Sequence, residues 1–303
     1  MRPAVIVLMA LSWAACAWAQ SDESPSDRRY LNPVFTEVKL TENLVFAKKL
    51  NDLSGTEETL RLRVFEPAGD SERRRPLFLL TPGGGFVVNG DDWMNDVATE
   101  IAKAGYVVAI NKYRLSKSIE TPALYMQALA KAVADQRDAL AYLVADAEGE
   151  NRFGIDPERV FIGGHSAGAI TSMHMAYLDR GDSLNEMLRA AMAAQFEVPA
   201  KQAEPAIKGV INLAGLVSDL QMINRQDIPL LSIHGADDAV VTPDRNAEVF
   251  GSKAIHEYLD LVGTDNTLYL IEGARHNDTA LPYLCEECVP LMKRFMFNQL
   301  QTL

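Results

Sequence analysis

The sequence predicts an α/β fold with a largely parallel sheet. Short runs rich in β-branched and aromatic residues alternate with amphipathic helical segments, and turn residues stand at most of the boundaries. From residue 77 onward each predicted strand is followed by a helix or a long connection, as parallel strands require, whereas the earlier strands can pair as antiparallel hairpins. The predicted strands cover residues 34–40, 43–48, 60–66, 77–81, 106–111, 159–163, 209–213, 229–234 and 267–271.

The longest predicted helix covers residues 122–145, where apolar residues recur at roughly helical spacing. Further helices are predicted to begin at Ala167, Pro243 and Pro282. The segment 181–205 is rich in Met and Ala and has no strand pattern. We interpret it either as a small helical cap over a functional site or as an ordinary surface helix.

The N-terminus has the pattern of a cleavable signal peptide. Arg2 precedes an apolar run over residues 5–17, and the run ends in Ala17-Trp18-Ala19 before polar residues. We expect cleavage after Ala19 (leader 1–19), a polar tail over 20–33, one domain over 34–303, and a secreted or periplasmic protein. A lipoprotein acylated on Cys16 is the alternative. Stable membrane insertion is not expected, because no later run approaches 18 apolar residues.

Charge and cysteine content narrow the classes of ligand. The formal net charge of −12 repels polyanions, so we expect no nucleic-acid partner and favour a neutral or cationic small molecule. Cys285 and Cys288 can form a local disulfide or remain neighbouring thiols. Two cysteines on one turn are too few ligands for a zinc site, so no metal is expected.

The strongest motif is G-x-S-x-G at residues 164–168, which directly follows a predicted strand and opens a predicted helix. This context is typical of the nucleophile elbow, in which a serine is presented on a sharp turn. The sequence therefore predicts Ser166 as a nucleophile. A serine hydroxyl needs a base and a group that orients the base.

His276 is the predicted base because it lies in the loop after the last predicted strand. The other four histidines adjoin the nucleophile, lie in helices or end a strand: His165, His174, His256 and His234. Asp238 is the predicted orienting carboxylate, since it matches an H-G-x-x-D-x-x-V spacing that Asp237 does not. The chain order Ser166, Asp238, His276 is that of the α/β-hydrolases.

Acyl transfer also needs donors for the developing oxyanion. Three glycines follow the predicted strand 77–81, and backbone N–H groups there can approach a substrate closely. We assign the donors to Gly84, Gly85 and Ala167. A phosphate loop is the alternative, but no Lys-Ser/Thr pair follows the glycines, so no nucleotide cofactor is expected.

Several motifs together resemble the esterases of the hormone-sensitive-lipase and carboxylesterase group, from about residue 60 to the C-terminus. They are P-G-G-G-F at 82–86, K-Y-R-L at 112–115, F-G-I-D-P at 153–157, G-H-S-A-G at 164–168, the loop 234–241 and His276. The resemblance implies the α/β-hydrolase fold with a mostly parallel eight-stranded sheet flanked by helices. It also implies an acyl-enzyme mechanism without metal or cofactor, and small or short-chain carboxylic esters as substrates.

Two positions depart from this pattern. Pro82 stands where the group usually has a histidine whose side chain steadies the oxyanion loop. His165 before the nucleophile is more similar to the feruloyl-esterase and kynurenine-formamidase branches.

The sequence thus predicts a secreted serine carboxylesterase. Phe86, Tyr113 and His165 are candidates for the substrate pocket, with the core as the alternative for each. An arylformamidase or other amidase with the same triad is the enzymatic alternative. A catalytically silent binding protein would lack a triad member, and none is missing. The natural ester and the oligomeric state do not follow from these residues.

Overall fold

A computed structural model describes residues 29–52, 54–88, 93–180, 186–199, 207–223, 228–246, 249–278 and 285–302. The predicted leader 1–19 and residues 20–28 of the predicted tail lie outside this part of the chain. The strands are β1 (Val38–Asn51), β2 (Thr56–Pro67), β3 (Arg75–Thr81), β4 (Val107–Asn111), β5 (Ile155–His165), β6 (Ile207–Leu213), β7 (Leu216–Val217), β8 (Leu230–Gly235), β9 (Phe250–Gly251) and β10 (Asn266–Ile271). The helices are α1 (Met94–Ala102), α2 (Pro122–Glu148), α3 (Ala167–Tyr177), α4 (Glu186–Ala193), α5 (Ser252–Val262) and α6 (Cys288–Gln301).

Eight strands form the central sheet in the order β1-β2-β4-β3-β5-β6-β8-β10. The pairs β1/β2 and β2/β4 are antiparallel, and every pair from β4 to β10 is parallel. The mostly parallel eight-stranded sheet flanked by helices that the sequence predicts is therefore confirmed. The strands β7 and β9 form a separate antiparallel pair.

The first two predicted strands are one strand in the structure. Residues 38–51 form the single strand β1, which pairs with β2 along its length. The register shifts between Thr41 and Leu44 and again between Val45 and Ala47. Asn43 has a φ of +59°, which breaks the alternation of side chains and explains why the sequence pattern divides there. The helix α5 begins at Ser252 rather than at Pro243, because Arg245 forms a bridge with Phe250 before the helix.

The sheet separates two apolar layers. Leu77 and Leu79 of β3 point into the layer that contains α2 and α3, and Phe78 and Leu80 point into the layer of α1 and α6. All four side chains are fully buried, as expected for a parallel strand covered on both faces. Within the described ranges, no helix combines the length and the hydropathy that crossing a membrane requires.

Candidate active site

Ser166 lies between the end of β5 and the start of α3, in a backbone conformation that few residues adopt. Its φ is +53° and its ψ is −122°. Its N–H donates to the carbonyl of Leu213 on the neighbouring strand β6 at 2.8 Å, which helps to hold the turn. A non-glycine residue at positive φ is strained, and strain of this kind concentrates at functional sites.

The two glycines of the motif are required by close packing. A Cβ atom added at Gly164 would lie 2.4 Å from the carbonyl oxygen of Thr81, and one added at Gly168 would lie 2.0 Å from the same oxygen. Both distances are far below the van der Waals contact distance of a carbon and an oxygen atom. The backbone of β3 therefore touches the turn directly, which fixes the position of Ser166 relative to the glycine loop that follows β3.

The structure brings Ser166, His276 and Asp238 together in one chain of hydrogen bonds. Nδ1 of His276 donates to Oδ2 of Asp238 at 2.6 Å. The carboxylate can only accept, so Nε2 of His276 is left to accept the hydroxyl proton of Ser166 at 2.8 Å. A histidine in this tautomer and position can act as a general base on the serine.

Asp238 is buried and held on both carboxylate oxygens. Oδ1 accepts the backbone N–H groups of Val240 and Val241 at 2.8 Å each, and Oδ2 faces His276. Burial raises the pKa of Asp238, but the hydrogen bonds from the two histidines beside it and from Val241 outweigh burial and lower the pKa well below its usual range. Asp237, the other candidate, is exposed to solvent.

His234 is a residue of the site to which the sequence analysis gave no role. Its Nε2 lies 2.8 Å from the carbonyl of Val241 and 3.2 Å from Oδ2 of Asp238, so the N–H is shared between two acceptors. Its Nδ1 accepts the hydroxyl of Ser252 at 2.7 Å. His234 thereby fixes the oxygen that binds His276. The H-G-x-x-D spacing is the sequence signal for this contact, because it places a histidine four residues before the carboxylate.

The glycine loop after β3 turns sharply beside Ser166. Gly84, Gly85 and Phe86 all have positive φ, and a Cβ added at Gly84 would lie 2.0 Å from the carbonyl oxygen of Val88. Of the three predicted oxyanion donors, Gly85 and Ala167 line the same cavity as Ser166. Gly84 is not among the described residues of that lining, and its carbonyl accepts the N–H of Val88.

Tyr113 was a candidate for the substrate pocket, but it is buried behind the glycine loop and is not among the described residues that line the cavity. Its hydroxyl donates to the carbonyl of Gly83 at 3.2 Å. The adjacent Pro82 has no side-chain hydrogen bond to offer. Tyr113 thus supports the glycine loop through this hydrogen bond.

His165, another pocket candidate, is buried against His276 and is not among the described residues that line the cavity. Its Nε2–H donates to the backbone carbonyl of His276 at 3.0 Å, and its ring meets Trp93 edge to face at 5.3 Å between centroids. Burial lowers the pKa of His165 to about 4, so the ring is neutral near pH 7. Its place in the structure is a support for the loop that carries His276.

A cavity of about 490 Å³ opens beside Ser166. Phe86, the third pocket candidate, lies in its wall. The walls come from the glycine loop, the start of α2, one face of α3, the β7 region, and residues 240, 241 and 249. The other lining residues are Gly85, Ile119, Glu120, Thr121, Pro122, Tyr125, Met126, Leu129, Ser166, Ala167, Ile170, His174, Leu216, Ser218, Val240, Val241 and Val249.

The segment 181–205 does not act as a cap in its described part. Residues 181–185 and 200–205 lie outside the described residues, and α4 packs against α2 with Leu188 and Met192 buried in the core. None of the described residues 186–199 lines the cavity. The amphipathic pattern of α4 is satisfied by α2, so that helix corresponds to the surface-helix alternative.

Arg114, from the K-Y-R-L motif, belongs to the support of the site. It forms a buried ion pair with Asp135 of α2 at 2.9 Å and donates to the carbonyl of Leu50 on β1 at 3.1 Å. Removing one partner of such a pair is strongly destabilising, because the other charge stays buried. The pair holds α2, whose first turns line the cavity.

The last two sequence predictions concern the state of the two cysteines and metal binding. Cys285 and Cys288 are joined by a disulfide at the start of α6, which decides between the two alternatives that the sequence left open. Among the described residues, no group of three or more His, Cys, Asp or Glu side chains is arranged to hold a metal ion.

Solved structures with a similar fold include esterases. Esterase B from Lactobacillus rhamnosis, inhibited by C6-C4 SN3, aligns with a TM-score of 0.62 and 15% identity over 94% of this chain and 94% of its own. Esterase 2 from the planctomycete Thermogutta terrifontis aligns with butyrate bound (TM-score 0.60, 16% identity, 83% and 93% coverage). The same esterase phosphoramylated by tabun aligns with a TM-score of 0.59 and 17% identity over 88% and 96%. These likenesses confirm the α/β-hydrolase fold.

Comparison with curated protein sequences finds no match. A family model does match: residues 62–224, more than half of the chain, fit the family described as BD-FAE. The matched region contains the glycine loop, the nucleophile elbow and the β7 strand, so it includes much of the cavity wall. The chain therefore belongs to the BD-FAE family, an esterase family of the α/β-hydrolase type.

Proposed function

We propose that this protein is a serine carboxylesterase that hydrolyses small or short-chain carboxylic esters through an acyl-enzyme intermediate. The observation that carries the proposal is the hydrogen-bond chain from Ser166 through His276 to Asp238, at 2.8 and 2.6 Å. The family membership supports ester chemistry. The cavity supports a small substrate, because its volume lies in the usual range for small-molecule sites and its lining is mostly apolar.

In the proposed mechanism, His276 removes the hydroxyl proton of Ser166 as Oγ attacks the ester carbonyl carbon. Asp238 holds the ring of His276 and stabilises the imidazolium that forms. The backbone N–H groups of Gly85 and Ala167, with Gly84 as the third donor that the sequence predicts, stabilise the oxyanion. His276 then protonates the leaving alcohol, and a water molecule activated by His276 releases the acid.

The contacts of the residues around the triad fit this mechanism. His165 binds the backbone of His276, and His234 binds the carboxylate of Asp238, so two of the three triad members have a supporting histidine. Tyr113 holds the carbonyl of Gly83, next to the proposed oxyanion donors. Catalysis by acyl transfer depends on such preorganised groups, because they need not reorient during the reaction.

The central experiment is the hydrolysis of a p-nitrophenyl ester series from acetate to palmitate. We expect turnover of the short esters, and a loss of at least about 10⁴-fold in kcat for Ser166→Ala, since the nucleophile is removed. The p-nitroanilide of the preferred acid should be hydrolysed much more slowly than its ester. Full activity of Ser166→Ala would overturn the proposal, and faster turnover of the amide would reassign the enzyme to the amidases.

Covalent labelling identifies the nucleophile independently. A structurally similar esterase is phosphoramylated by tabun, which favours a test with an organophosphate. We expect paraoxon to add one phosphoryl group to Ser166, measured by peptide mass spectrometry. The Ser166→Ala protein is the control and should remain unlabelled. A label on another residue would contradict the assignment of the nucleophile.

We also propose that the protein is exported and that the leader is removed after Ala19. The proposal is supported by the charged, apolar and small-residue pattern of residues 1–19. The Cys285–Cys288 disulfide is a second support, because disulfides persist mainly in oxidising compartments. Mass spectrometry of the N-terminus of exported protein should find Gln20 as the first residue.

A further inference from the structure

The cavity has a second polar position, which the proposed mechanism does not use. Ser166, Ile170 and His174 line the cavity and lie four residues apart, so they share one face of α3. Eight residues of α-helix span about 12 Å. A group bound along this face therefore runs from the nucleophile past an apolar side chain to His174 and the neighbouring Ser218.

The hydrogen bonds of His174 determine whether the hydroxyl of Ser218 can donate or accept a hydrogen bond in the cavity. Nδ1 of His174 lies 2.8 Å from the carbonyl of Ile170, which can only accept, so Nδ1 carries a proton. Burial lowers the pKa of His174 to about 4, so the ring is neutral near pH 7 and its Nε2 has no proton. The hydroxyl of Ser218, 3.2 Å away, must donate to Nε2.

Ser218 therefore presents acceptor lone pairs to the cavity, because its only proton is used. No other hydrogen bond to its side chain is present among the described residues. The nearby lining is mostly apolar, with Leu216, Ile170 and Val249 in the same cavity. Tyr125 adds a hydroxyl that has no hydrogen-bond partner within the described part of the chain. An apolar ligand alone would leave these groups unsatisfied, which costs free energy.

We propose that Ser218, oriented by His174, binds a neutral hydroxyl group at the far end of the substrate group that lies along α3. Ser218 is then a specificity-determining residue, and the substrate class is an ester whose acyl or alcohol part has an apolar stretch ending in a hydroxyl. A terminal ammonium fits less well, because charge is costly beside an apolar wall. Glu120, the carboxylate of the lining, is exposed. The inference rests on the proposed esterase function.

The test compares matched esters with and without the terminal hydroxyl. One series compares methyl hexanoate, methyl octanoate and methyl decanoate with their ω-hydroxy counterparts. A second series compares alkyl acetates with ω-hydroxyalkyl acetates. In the wild type we expect kcat/KM to favour the hydroxylated member about 2- to 10-fold in at least one series, the value of one net hydrogen bond. The ω-amino esters serve as the charged comparison and should be disfavoured.

Ser218→Ala should remove the preference for the hydroxylated ester, measured as the ratio of kcat/KM between the hydroxylated and the plain member of each pair. Ser218→Thr is the matched control: it keeps the hydroxyl and should keep the preference. An equal ratio in wild type and Ser218→Ala, in both series, would overturn the inference and leave the esterase function standing. A preference for the ω-amino esters would also overturn it.

A binding measurement separates this inference from the proposed function. The ratio of the dissociation constants of 1-octanol and 1,8-octanediol is measured by calorimetry on Ser166→Ala, with and without Ser218→Ala. We expect the ratio to fall when Ser218 is replaced, whether or not any ester is turned over. An unchanged ratio contradicts a hydroxyl site at Ser218. A failure of all ester hydrolysis, by contrast, contradicts only the proposed function.

Discussion

The two ends of the cavity are built in different ways. At the Ser166 end, the reacting side chains follow the parallel strands β5, β8 and β10 and are fixed by hydrogen bonds to backbone groups, such as those from Val240 and Val241 to Asp238. At the other end the wall consists of side chains from the first turns of α2, from the β7 region and from Val249. Backbone groups near the strand ends position the triad, and side chains of loops and helix starts shape the rest of the cavity.

This difference means that the wall can change without moving the triad. Ser218 and Val249 can be replaced with no loss of a hydrogen bond to Ser166, His276 or Asp238, because within the described part of the chain no hydrogen bond joins either residue to these three. Substitutions at the triad end should therefore alter kcat, and substitutions in the wall should alter the ranking of substrates. Three further predictions test the triad end and the contrast between the ends.

The largest of these effects is expected from Asp238→Asn. An amide at this position favours the wrong tautomer of His276, so we expect kcat on a short p-nitrophenyl ester to fall about 10⁴-fold. Asp237→Asn is the matched control, because Asp237 is adjacent in sequence, exposed to solvent, and should leave kcat within about twofold. A similar loss in both variants would show that the loop, and not the carboxylate of Asp238, is responsible.

A smaller effect is expected from His234→Phe, which removes the N–H that His234 shares between Asp238 and Val241. A hydrogen bond to a charged group contributes about 1.5–3 kcal/mol, so kcat should fall about 10- to 100-fold. His256→Phe is the matched control. His256 is also a buried histidine, but it bonds to Asn266 on the strand β10 and not to the triad.

Both histidine variants should lower the midpoint of thermal unfolding, because each removes a hydrogen bond made by a buried histidine. Only His234→Phe should lower the kcat of the folded protein. If both variants lose kcat in proportion to stability, His234 has no specific effect on Asp238. The kinetic assays are run well below the unfolding midpoint, with the folded fraction measured by circular dichroism.

The smallest effect is expected in the pH dependence of stability. The test compares one buried histidine from each end of the cavity. Burial lowers the pKa of both His165 and His174 to about 4, from an ordinary value of 6.5. The unfolded chain therefore binds more protons between these values, and the free energy of unfolding should decrease as the pH falls from about 6.5 to about 4. Above pH 6.5 these two groups should contribute no pH dependence.

Denaturant unfolding at several pH values between 4 and 8 measures this slope. His165→Asn and His174→Asn should each reduce the slope below pH 6.5, because asparagine cannot titrate, and the double variant should reduce it further. A slope that is unchanged in both single variants would mean that the acid sensitivity comes from carboxylates. The same variants separate the two ends, since only His174→Asn should also alter the preference for hydroxylated esters.

The triad was predictable from sequence because each member is marked locally. The motif around Ser166 fixes a turn whose glycines touch Thr81, and Asp238 stands at a defined spacing after the histidine that binds it. His276 follows the last strand of the sheet. In a parallel sheet the loops after successive strands meet at one edge, so chain order alone brings these residues close together.

The supports and the cavity wall were not predictable in the same way. Tyr113 and His165 carry polar groups that suit a pocket, but their partners are backbone carbonyls of Gly83 and His276, which lie far away in sequence. The apolar stripe of α4 reads equally well as a cap or as a surface helix. Only the position of α2 decides between them, and the packing of one helix on another cannot be predicted from the sequence of a single segment.

The two register shifts in β1 have a consequence for the behaviour of the protein at high concentration. The strand β1 is an outer strand of the sheet, so one row of its backbone groups is not paired within the sheet. Several of its apolar side chains, Leu40, Val45 and Leu50, are exposed. A flat strand of this length would invite pairing with another chain, and bulges oppose such pairing because they twist the strand and interrupt its hydrogen-bonding pattern. The irregularity of β1 thus protects the protein against aggregation through its sheet edge.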